Sequence, residues 1–379
     1  MKQGIPFYRA REIVRLAEQG YVENDLFISR ELFEDFSRDG LMPEAGDIMI
    51  SAVGTIGRTY IVQQTDKFYF KDASVLCLKN LHLESGYLDF YLQSSFARAQ
   101  MISGSKGTTV DTITIEKAND YLIPIPPRGE QKRIVSSIQQ LLPFLNWLDT
   151  ERQGIKRLID NSKELILELA IKGKLVPQDS TDEPAIEFLK RINPAFKPSD
   201  NLHYIDNLPN GWCFSTIGDI FQHNTGKALN GIDHEGVMLR YITTSNLYWD
   251  RFDLSEERMM PFTEKEQEKC RAQKGDLLVC EGGDIGRAAI WPYEESIMIQ
   301  NHIHRLRLKA HFSVRFFYYI FYLYKQKGLI GGKGIGIQGL SSRELDKMVI
   351  PVPPVNEQHR IVTAIEEKFA MLDTIADCC

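Results

Sequence analysis

The sequence predicts a mixed α/β (α+β) protein: two globular domains related by internal duplication and separated by long coiled-coil helices. Three observations predict it. Motifs recur in order at a fixed offset, short apolar strands end at glycine turns, and a heptad-like run lies between the copies.

The duplication comes first. Gly46-Asp-Ile-Met-Ile-Ser-Ala-Val-Gly-Thr-Ile-Gly-Arg58 recurs as Gly275-Asp-Leu-Leu-Val-Cys-Glu-Gly-Gly-Asp-Ile-Gly-Arg287. Ile123-Pro-Ile-Pro-Pro-Arg-Gly-Glu-Gln-Lys-Arg-Ile-Val135 recurs as Ile350-Pro-Val-Pro-Pro-Val-Asn-Glu-Gln-His-Arg-Ile-Val362. Between them Ser103-Gly-Ser-Lys-Gly107 corresponds to Gly331-Gly-Lys-Gly334, and all offsets lie near 227 to 230 residues. A repeat this long is a domain rather than a solenoid unit. Copy two opens with Leu208-Pro-Asn-Gly-Trp212 and a strand-like run to Ile217, whose counterparts would precede residue 1. The helix of copy two stops at Cys379, part way along its counterpart, so the chain reads as trimmed at both edges.

Within each copy the glycine–aspartate pair is a turn feeding a short apolar strand, which ends at the Gly-x-Ile-Gly-Arg turn. Residues 75–78 and 304–308 read as further strands, and residues 86–101 and 313–327 as helices. After Glu130-Gln131 steps of four and three residues give Ile134, Ile138, Leu141, Leu145, Leu148, Arg152, Ile155, Ile159, Ser162, Ile166 and Leu169, a coiled-coil seam. Pro143 must kink that helix or start a new segment. Copy two repeats the seam at Ile361, Ile365, Leu372 and Ile375, with Lys368 as an exception. Two such helices should bury their stripes against each other in antiparallel fashion; two unrelated amphipathic surface helices are the alternative. The expected boundaries are 1–128 for the first domain, 129–175 for the spacer helix, 176–207 for a polar linker, 208–355 for the second domain and 356–379 for the second, shortened helix.

Composition narrows the class. Hydrophobic content of 43% and charged content of 25% are those of a globular protein. No uncharged apolar run is long enough to span a bilayer, and the first residues lack the apolar core of a secretory signal. Six cysteines form no Cys-x-x-Cys pair and no zinc spacing, which points to a reduced, cytoplasmic protein without a structural metal. The net charge of −6 argues against a non-specific DNA binder but permits a local basic face.

The ordered set of motifs resembles the specificity subunit of Type I restriction–modification systems. Three features carry the resemblance: the Pro-x-Pro-Pro-x-x-Glu-Gln junction at both helix starts, the Ile171-Lys-Gly-Lys-Leu-Val-Pro-Gln-Asp179 helix exit, and Leu208-Pro-Asn-Gly-Trp212. The resemblance covers nearly the whole chain. It implies that each globular domain is a target-recognition domain reading one half of a split sequence in double-stranded DNA. It implies also that the helices act as a ruler and dock modification (methyltransferase) subunits, with restriction (endonuclease/translocase) subunits joining that core. S-adenosylmethionine, ATP and magnesium are then expected on those partners and no cofactor on this chain. The missing first strand and short last helix depart from the family's pattern.

Candidate DNA contacts follow from residue type. Residues 296–343 contain no acidic side chain and carry Arg305, Lys325 and Lys333 among interleaved aromatics, most of which should be core. A basic solvated face is the plain alternative. The matched glycine-rich stretches place Lys106 opposite Lys333, where backbone can approach phosphate, and hold Thr108 and the weaker candidate Gln338; ordinary strand–helix connections fit equally. Arg58 and Arg287 follow the duplicated turns and could bridge phosphates or read guanine, or close a salt bridge within the domain. Lys227, Ser245 and Asn246 are weaker candidates near the expected reading edge.

No catalytic constellation emerges. Asn193-Pro-Ala-Phe196 departs from methyltransferase signatures and sits in the expected linker, and His302 and His304 alternate as strand residues without further ligands. The chain is therefore expected to be non-catalytic. A coiled-coil adaptor that does not bind DNA, and a cryptic homodimeric enzyme, are the competing readings.

Overall fold

The computed structural model describes residues 4–38, 42–70, 74–80, 82–102, 112–200, 205, 207–228, 235–256, 258–330 and 340–378. The chain divides into two compact units, Met1–Thr150 and Glu151–Cys379, called unit 1 and unit 2 below.

Unit 1 runs β1 (Ile5–Tyr8), α1 (Ala10–Gln19), β2 (Phe27–Ile28), α2 (Arg30–Arg38), β3 (Ile48–Ser51), β4 (Thr59–Ile61), β5 (Tyr69–Phe70), β6 (Val75–Leu78), α3 (Ser85–Gln93), α4 (Ser95–Ile102) and α5 (Ile115–Asn119), then the start of α6 (Arg128–Ile171). Its two small sheets have the orders β2-β1-β5 and β4-β3-β6. The apolar run of β3 is buried on both faces. One face packs on α3 and α4 through Ile48, Ile50, Leu88, Leu92, Ala97 and Met101. The other packs on α1 through Met49, Ile13, Leu16 and Val62.

Unit 2 holds the rest of α6, then α7 (Ala185–Ile192), β7 (Cys213–Thr216), α8 (Ile217–Ile220), β8 (Phe221–Thr225), β9 (Val237–Ile242), β10 (Leu247–Tyr248), β11 (Arg251–Phe252), β12 (Arg258–Phe262) and α9 (Glu264–Cys270). It continues with β13 (Arg271–Ala272), β14 (Leu277–Cys280), β15 (Ala288–Ile290), β16 (Ile297–Ile299), β17 (Ile303–Leu308), α10 (Val314–Gln326), α11 (Ser342–Asp346), β18 (Val349–Val352) and α12 (Val355–Asp377). The sheet β15-β14-β17-β8 corresponds to β4-β3-β6, and β12-β9-β16-β13 is the second sheet. The pair β18-β7 closes the unit.

The duplication is preserved at the level of hydrogen bonds. Asp47 and Asp276 cap the turn before the central strand, accepting from the backbone N–H of Glu44 and of Gln273. Each is paired with a cation, Lys79 just beyond the neighbouring strand in unit 1 and Arg307 within it in unit 2. Burial alone would push the Asp47 carboxyl up; Lys79 and the N–H groups of Glu44 and Asn80 outweigh it and hold it below the usual range.

The Glu-Gln junction is a staple. Gln131 donates to the Pro126 carbonyl and accepts from the N–H of Glu84, at the start of α3. Gln358 donates to the Pro353 carbonyl and accepts from the N–H of Ser313, at the start of α10. Both glutamines are buried. The motif thus satisfies an orphan donor at one helix start and an open carbonyl beside another.

Several expectations are corrected. Residues 86–101 form two helices, broken where Ser94 turns extended. Residues 176–207 are no loose tether: α7 lies within them, and Ala185, Leu189, Phe196 and Ile205 enter the main core of unit 2. That apolar spacing was hidden among charged neighbours. Helix α6 continues through Pro143, so no new segment starts there. Of the seam positions in α6 only Ile159 is buried; Ile166 packs partly buried against a core that its non-seam neighbours Leu167, Ala170 and Ile171 share with Ile361 and Ile365 of α12. Every residue from Leu141 to Thr150 is exposed.

Candidate nucleic-acid interface

In both units the Gly-x-Ile-Gly-Arg turn packs against the residue that leads into a glycine-rich stretch. A Cβ on Gly57 would stand 2.8 Å from Met101 Sδ, and one on Gly286 would stand 2.6 Å from Ile330 Cγ2. Both glycines also take left-handed backbone, so other residues are excluded twice over. The residues after the stretch are placed alike: Ile113 donates its N–H to the Ala52 carbonyl, and Leu340 is buried at the matching position. The duplicated turn and the ends of the duplicated loop are therefore neighbours in each unit. Lys106, Thr108, Lys333 and Gln338 lie outside the described residues.

Arg58 is exposed, with Glu18 at 3.6 Å. Arg287 is more enclosed: it donates to the Thr244 carbonyl at 2.8 Å and lies over the Tyr248 ring. The two arginines share a sequence position but not a degree of freedom.

Other expected contacts are corrected by burial. Arg305 is 2% exposed and spends its guanidinium on the carbonyls of Glu268 and Arg271, so it is a core residue. Lys227 is buried, donating to the Pro261 carbonyl and pairing with Glu266 at 2.9 Å. Asn246 is buried too; it accepts from the Thr243 N–H and donates to the Asp253 carbonyl, closing a local turn. Lys325 pairs with Asp284 at 2.8 Å and donates to the Ile285 carbonyl, bracing the turn from behind. The acid-free stretch is neutralised in space by residues distant in sequence. Arg307 meets Asp276, Arg315 meets Asp250 and Glu366, and Lys327 meets Glu164 and Glu168. Its aromatics Phe316, Phe317, Tyr318, Tyr319, Phe321 and Tyr324 are core, as expected.

The structure adds residues that the sequence reading passed over. Arg9, Arg11 and Arg15 border a cleft of about 530 Å³ in unit 1, whose other wall is the turn at Val53, Gly54 and Thr55. Glu12 is buried beneath two of them, 2.7 Å from Arg11 and 3.5 Å from Arg9. Three arginines against the carboxylates of Glu12 and Glu18, both of the same helix, leave the cleft net positive beside the exposed Arg58. The spacing Arg9-Ala-Arg11 with Arg15 one turn on was visible, but it has no counterpart in copy two to single it out.

A second cluster in unit 2 was also missed. His223 Nδ1 lies 2.8 Å from Asp346 Oδ1, its Nε2 lies 2.9 Å from His304 Nδ1, and His304 Nε2 lies 2.6 Å from the Leu340 carbonyl. Burial, then the neighbouring His223, push the His304 pKa down to about 4. This chain ties the residue after the second glycine-rich stretch to the sheet. Among the described residues no group of three or more His, Cys, Asp or Glu could hold a metal ion.

The three motifs of the sequence-level resemblance meet in unit 2 away from the turn. Glu357 is buried, accepting from the Trp212 indole at 2.9 Å and from Gln178 at 2.6 Å. Gly173, left-handed at the end of α6, lies so close to Pro209 and Trp212 that a Cβ would stand 2.3 Å from Pro209 Cγ. Helix exit, Pro-Asn-Gly-Trp turn and Glu-Gln junction form one structural knot.

Comparison with known proteins agrees with that pattern. The sequence model described as Type I restriction modification DNA specificity domain matches residues 1–157 and 209–375. The EcoBI specificity subunit of Escherichia coli, a Type I restriction enzyme subunit, is 23% identical over 282 residues, covering 72% of this chain and 56% of that protein. The EcoKI specificity subunit of Escherichia coli K12 is 22% identical over 300 residues, covering 77% of this chain and 60% of that protein. The chain thus spans about three fifths or less of the length of these relatives. A solved structure described as "Structural basis underlying complex assembly and conformational transition of the type I R-M system" superposes with a TM-score of 0.61. It is 17% identical and covers 89% of this chain and 77% of that one, a likeness of fold.

Proposed function

The chain belongs to the family of Type I restriction modification DNA specificity domains, and from that premise we propose that it is a non-catalytic subunit reading a two-part target in double-stranded DNA. The observation that carries the proposal is the repeated turn packed against the residues that flank the glycine-rich stretch, bordered in unit 1 by Arg9, Arg11, Arg15 and Arg58. Exposed arginines neutralise phosphates and their planar forks suit bidentate contacts, whereas buried Arg305 and Lys227 hold the fold. Modification subunits with S-adenosylmethionine supply methyl transfer, and restriction subunits with ATP and magnesium join them, in the cytoplasm. Among the described residues no helix is long and apolar enough to cross a membrane.

The test is sequence-specific retention of duplex DNA by the chain assembled with modification subunits, measured over a range of salt. Replacing Arg9, Arg11 and Arg15 with Gln should weaken binding on all sequences and flatten the salt dependence by about one unit per lost phosphate contact. Wild-type affinity and slope in that variant would remove the cleft from the interface. Methyl transfer or cleavage that stays with the purified chain alone would overturn the non-catalytic reading.

A further inference from the structure

Unit 2 lays two histidines across the strand pair β8-β17, where unit 1 has Leu76 at the position of His304. The register sets His304 opposite Thr225 and Leu306 opposite His223, so the rings meet on the diagonal with centroids 4.9 Å apart. His304 is fully buried, and the His223 side chain is 6% exposed. Their hydrogen bonds reach both ends of α11: Asp346 closes that helix, and Leu340 stands just before its capping residue Ser341. The line runs from Asp346 Oδ1 to His223 Nδ1 at 2.8 Å and from His223 Nε2 to His304 Nδ1 at 2.9 Å. It ends from His304 Nε2 to the Leu340 carbonyl at 2.6 Å.

That line begins on a carboxylate and ends on a carbonyl, and both of these accept. Each of its three contacts needs one proton, but two neutral imidazoles bring only two. Wherever the two are placed, one contact sets lone pairs against each other: His304 Nε2 against Leu340, His223 Nδ1 against Asp346, or ring against ring. An unmade hydrogen bond is costly at a buried site. A third proton completes all three bonds, and the Asp346 carboxylate balances its charge. Burial, then the neighbouring His223, hold His304 below its ordinary range, so the third proton sits at the His223–Asp346 end. A fourth proton, on His304, would break the line from the acid side by setting two N–H groups face to face.

The other elements around the pair bring no further charge to it among the described residues. β14 sets Val279 and β8 sets Thr225 opposite His304, α8 turns Asp219 onto Thr216, and α9 turns Glu266 onto Lys227. In unit 1 the residue matched to Leu340 is Ile113, held by its own N–H on the Ala52 carbonyl, a bond that does not titrate. We propose that His223, His304 and Asp346 are positioning residues, whose one proton beyond the neutral pair fastens Leu340 at the end of the second glycine-rich stretch for DNA binding by unit 2. With that proton all three bonds are made. As pH rises and it leaves, one bond breaks and the hold on Leu340 loosens. The DNA-binding part rests on the function proposed above; the proton count does not.

Asp346→Asn is the deciding variant, because its side-chain amide brings the third hydrogen covalently and the line then closes with both histidines neutral. The full chain, alone and assembled with modification subunits, is followed from about pH 6 to about pH 9. In the unsubstituted chain, nitrogen-15 histidine spectra should show one bare ring nitrogen in the pair at the acid end and two at the alkaline end. Amide protection at residues 341–346 should fall by about ten-fold over the same step, and affinity for target duplex should fall with it. Asp346→Asn should show two bare nitrogens throughout, protection that stays high and a flattened pH profile of binding. Two bare nitrogens at every pH in the unsubstituted chain overturn the proton count, and loss of protection in Asp346→Asn overturns the tether. Protection that changes with pH while DNA affinity does not overturns the positioning role. A complex that retains no DNA at any pH fails the function proposed above instead, and the spectra and protection still decide the tether.

Discussion

Unit 1 and unit 2 carry the same aspartate-capped turn, the same glycine contact at the Gly-x-Ile-Gly-Arg turn and the same glutamine staple. Their surroundings diverge. The strand position filled by Leu76 and Cys77 in unit 1 holds His304 and Arg305 in unit 2, both buried and both bonded to backbone carbonyls. After the first strand of the corresponding sheet, unit 1 builds helix α1 with its arginines, whereas unit 2 makes a short 3-10 turn at Thr244–Asn246. Side-chain bonds to the backbone at the turns and helix starts are common to both units, whereas the two strand positions carry apolar side chains in one unit and long-range polar bonds in the other.

That contrast can be broken most easily at the knot. Trp212→Ala should cost unit 2 about 3–5 kcal/mol, since a large buried ring is lost and Glu357 loses its indole donor. Glu130→Ala, at the unit 1 counterpart of Glu357, should stay within about 0.5 kcal/mol. Urea melts followed by amide exchange would report each unit separately. Equal losses at both sites would erase the distinction.

Arg305→Ala comes next. It strips donors from the carbonyls of Glu268 and Arg271, so a loss of about 1–3 kcal/mol is expected. The measurable signature is lower folding stability, with DNA affinity of the remaining folded fraction unchanged. A selective loss of DNA binding at full stability would return Arg305 to the interface.

The glutamine staples should behave as a matched pair. Gln131→Ala and Gln358→Ala each leave a helix-start N–H unpaired, part-buried in unit 1 and buried in unit 2, at about 1–3 kcal/mol in their own unit. A large difference between them would mean that the shared geometry conceals unequal roles.

Acid separates the units more gently. His304 is held neutral with its pKa near 4, whereas the unfolded chain protonates it near 6.5. Between those values the unfolded state binds more protons, so unit 2 gains stability as pH rises and loses it as pH falls from about 6.5 to 4. The groups facing it are His223, Asp346 and the Leu340 carbonyl. Leu76 gives unit 1 no such term. His304→Leu should flatten the pH dependence of unit 2 melting over that window; an unaltered slope would assign the acid response to carboxylates instead.

Much of the frame was legible because it repeats. The central strands, the turns and the helix starts could be placed by comparing the chain with itself, and residues 75–78 are strand as read. The candidate site was less legible. Absence of acids between residues 296 and 343 looked like a cationic face, yet Asp250, Asp276, Asp284, Glu164, Glu168 and Glu366 arrive there from other elements. Charge neutralisation is a three-dimensional property that a linear window cannot see. Arg9, Arg11 and Arg15 were overlooked for the opposite reason: a feature present once leaves no echo in a repeat search. The segment around α7 was misjudged because its few apolar residues serve a core whose other members are far away in sequence.

The glutamine staple has an evolutionary corollary. It fixes where each long helix departs from its domain by bonds to Pro126 or Pro353 and to a helix start, and none of those atoms belongs to the Gly-x-Ile-Gly-Arg turn. Mutations that remodel the turn face therefore leave the trajectory of the helix unaltered. The turn face can be remodelled by ordinary drift, or a whole domain exchanged at the Pro-Pro boundary, without re-engineering the coupling to the helix.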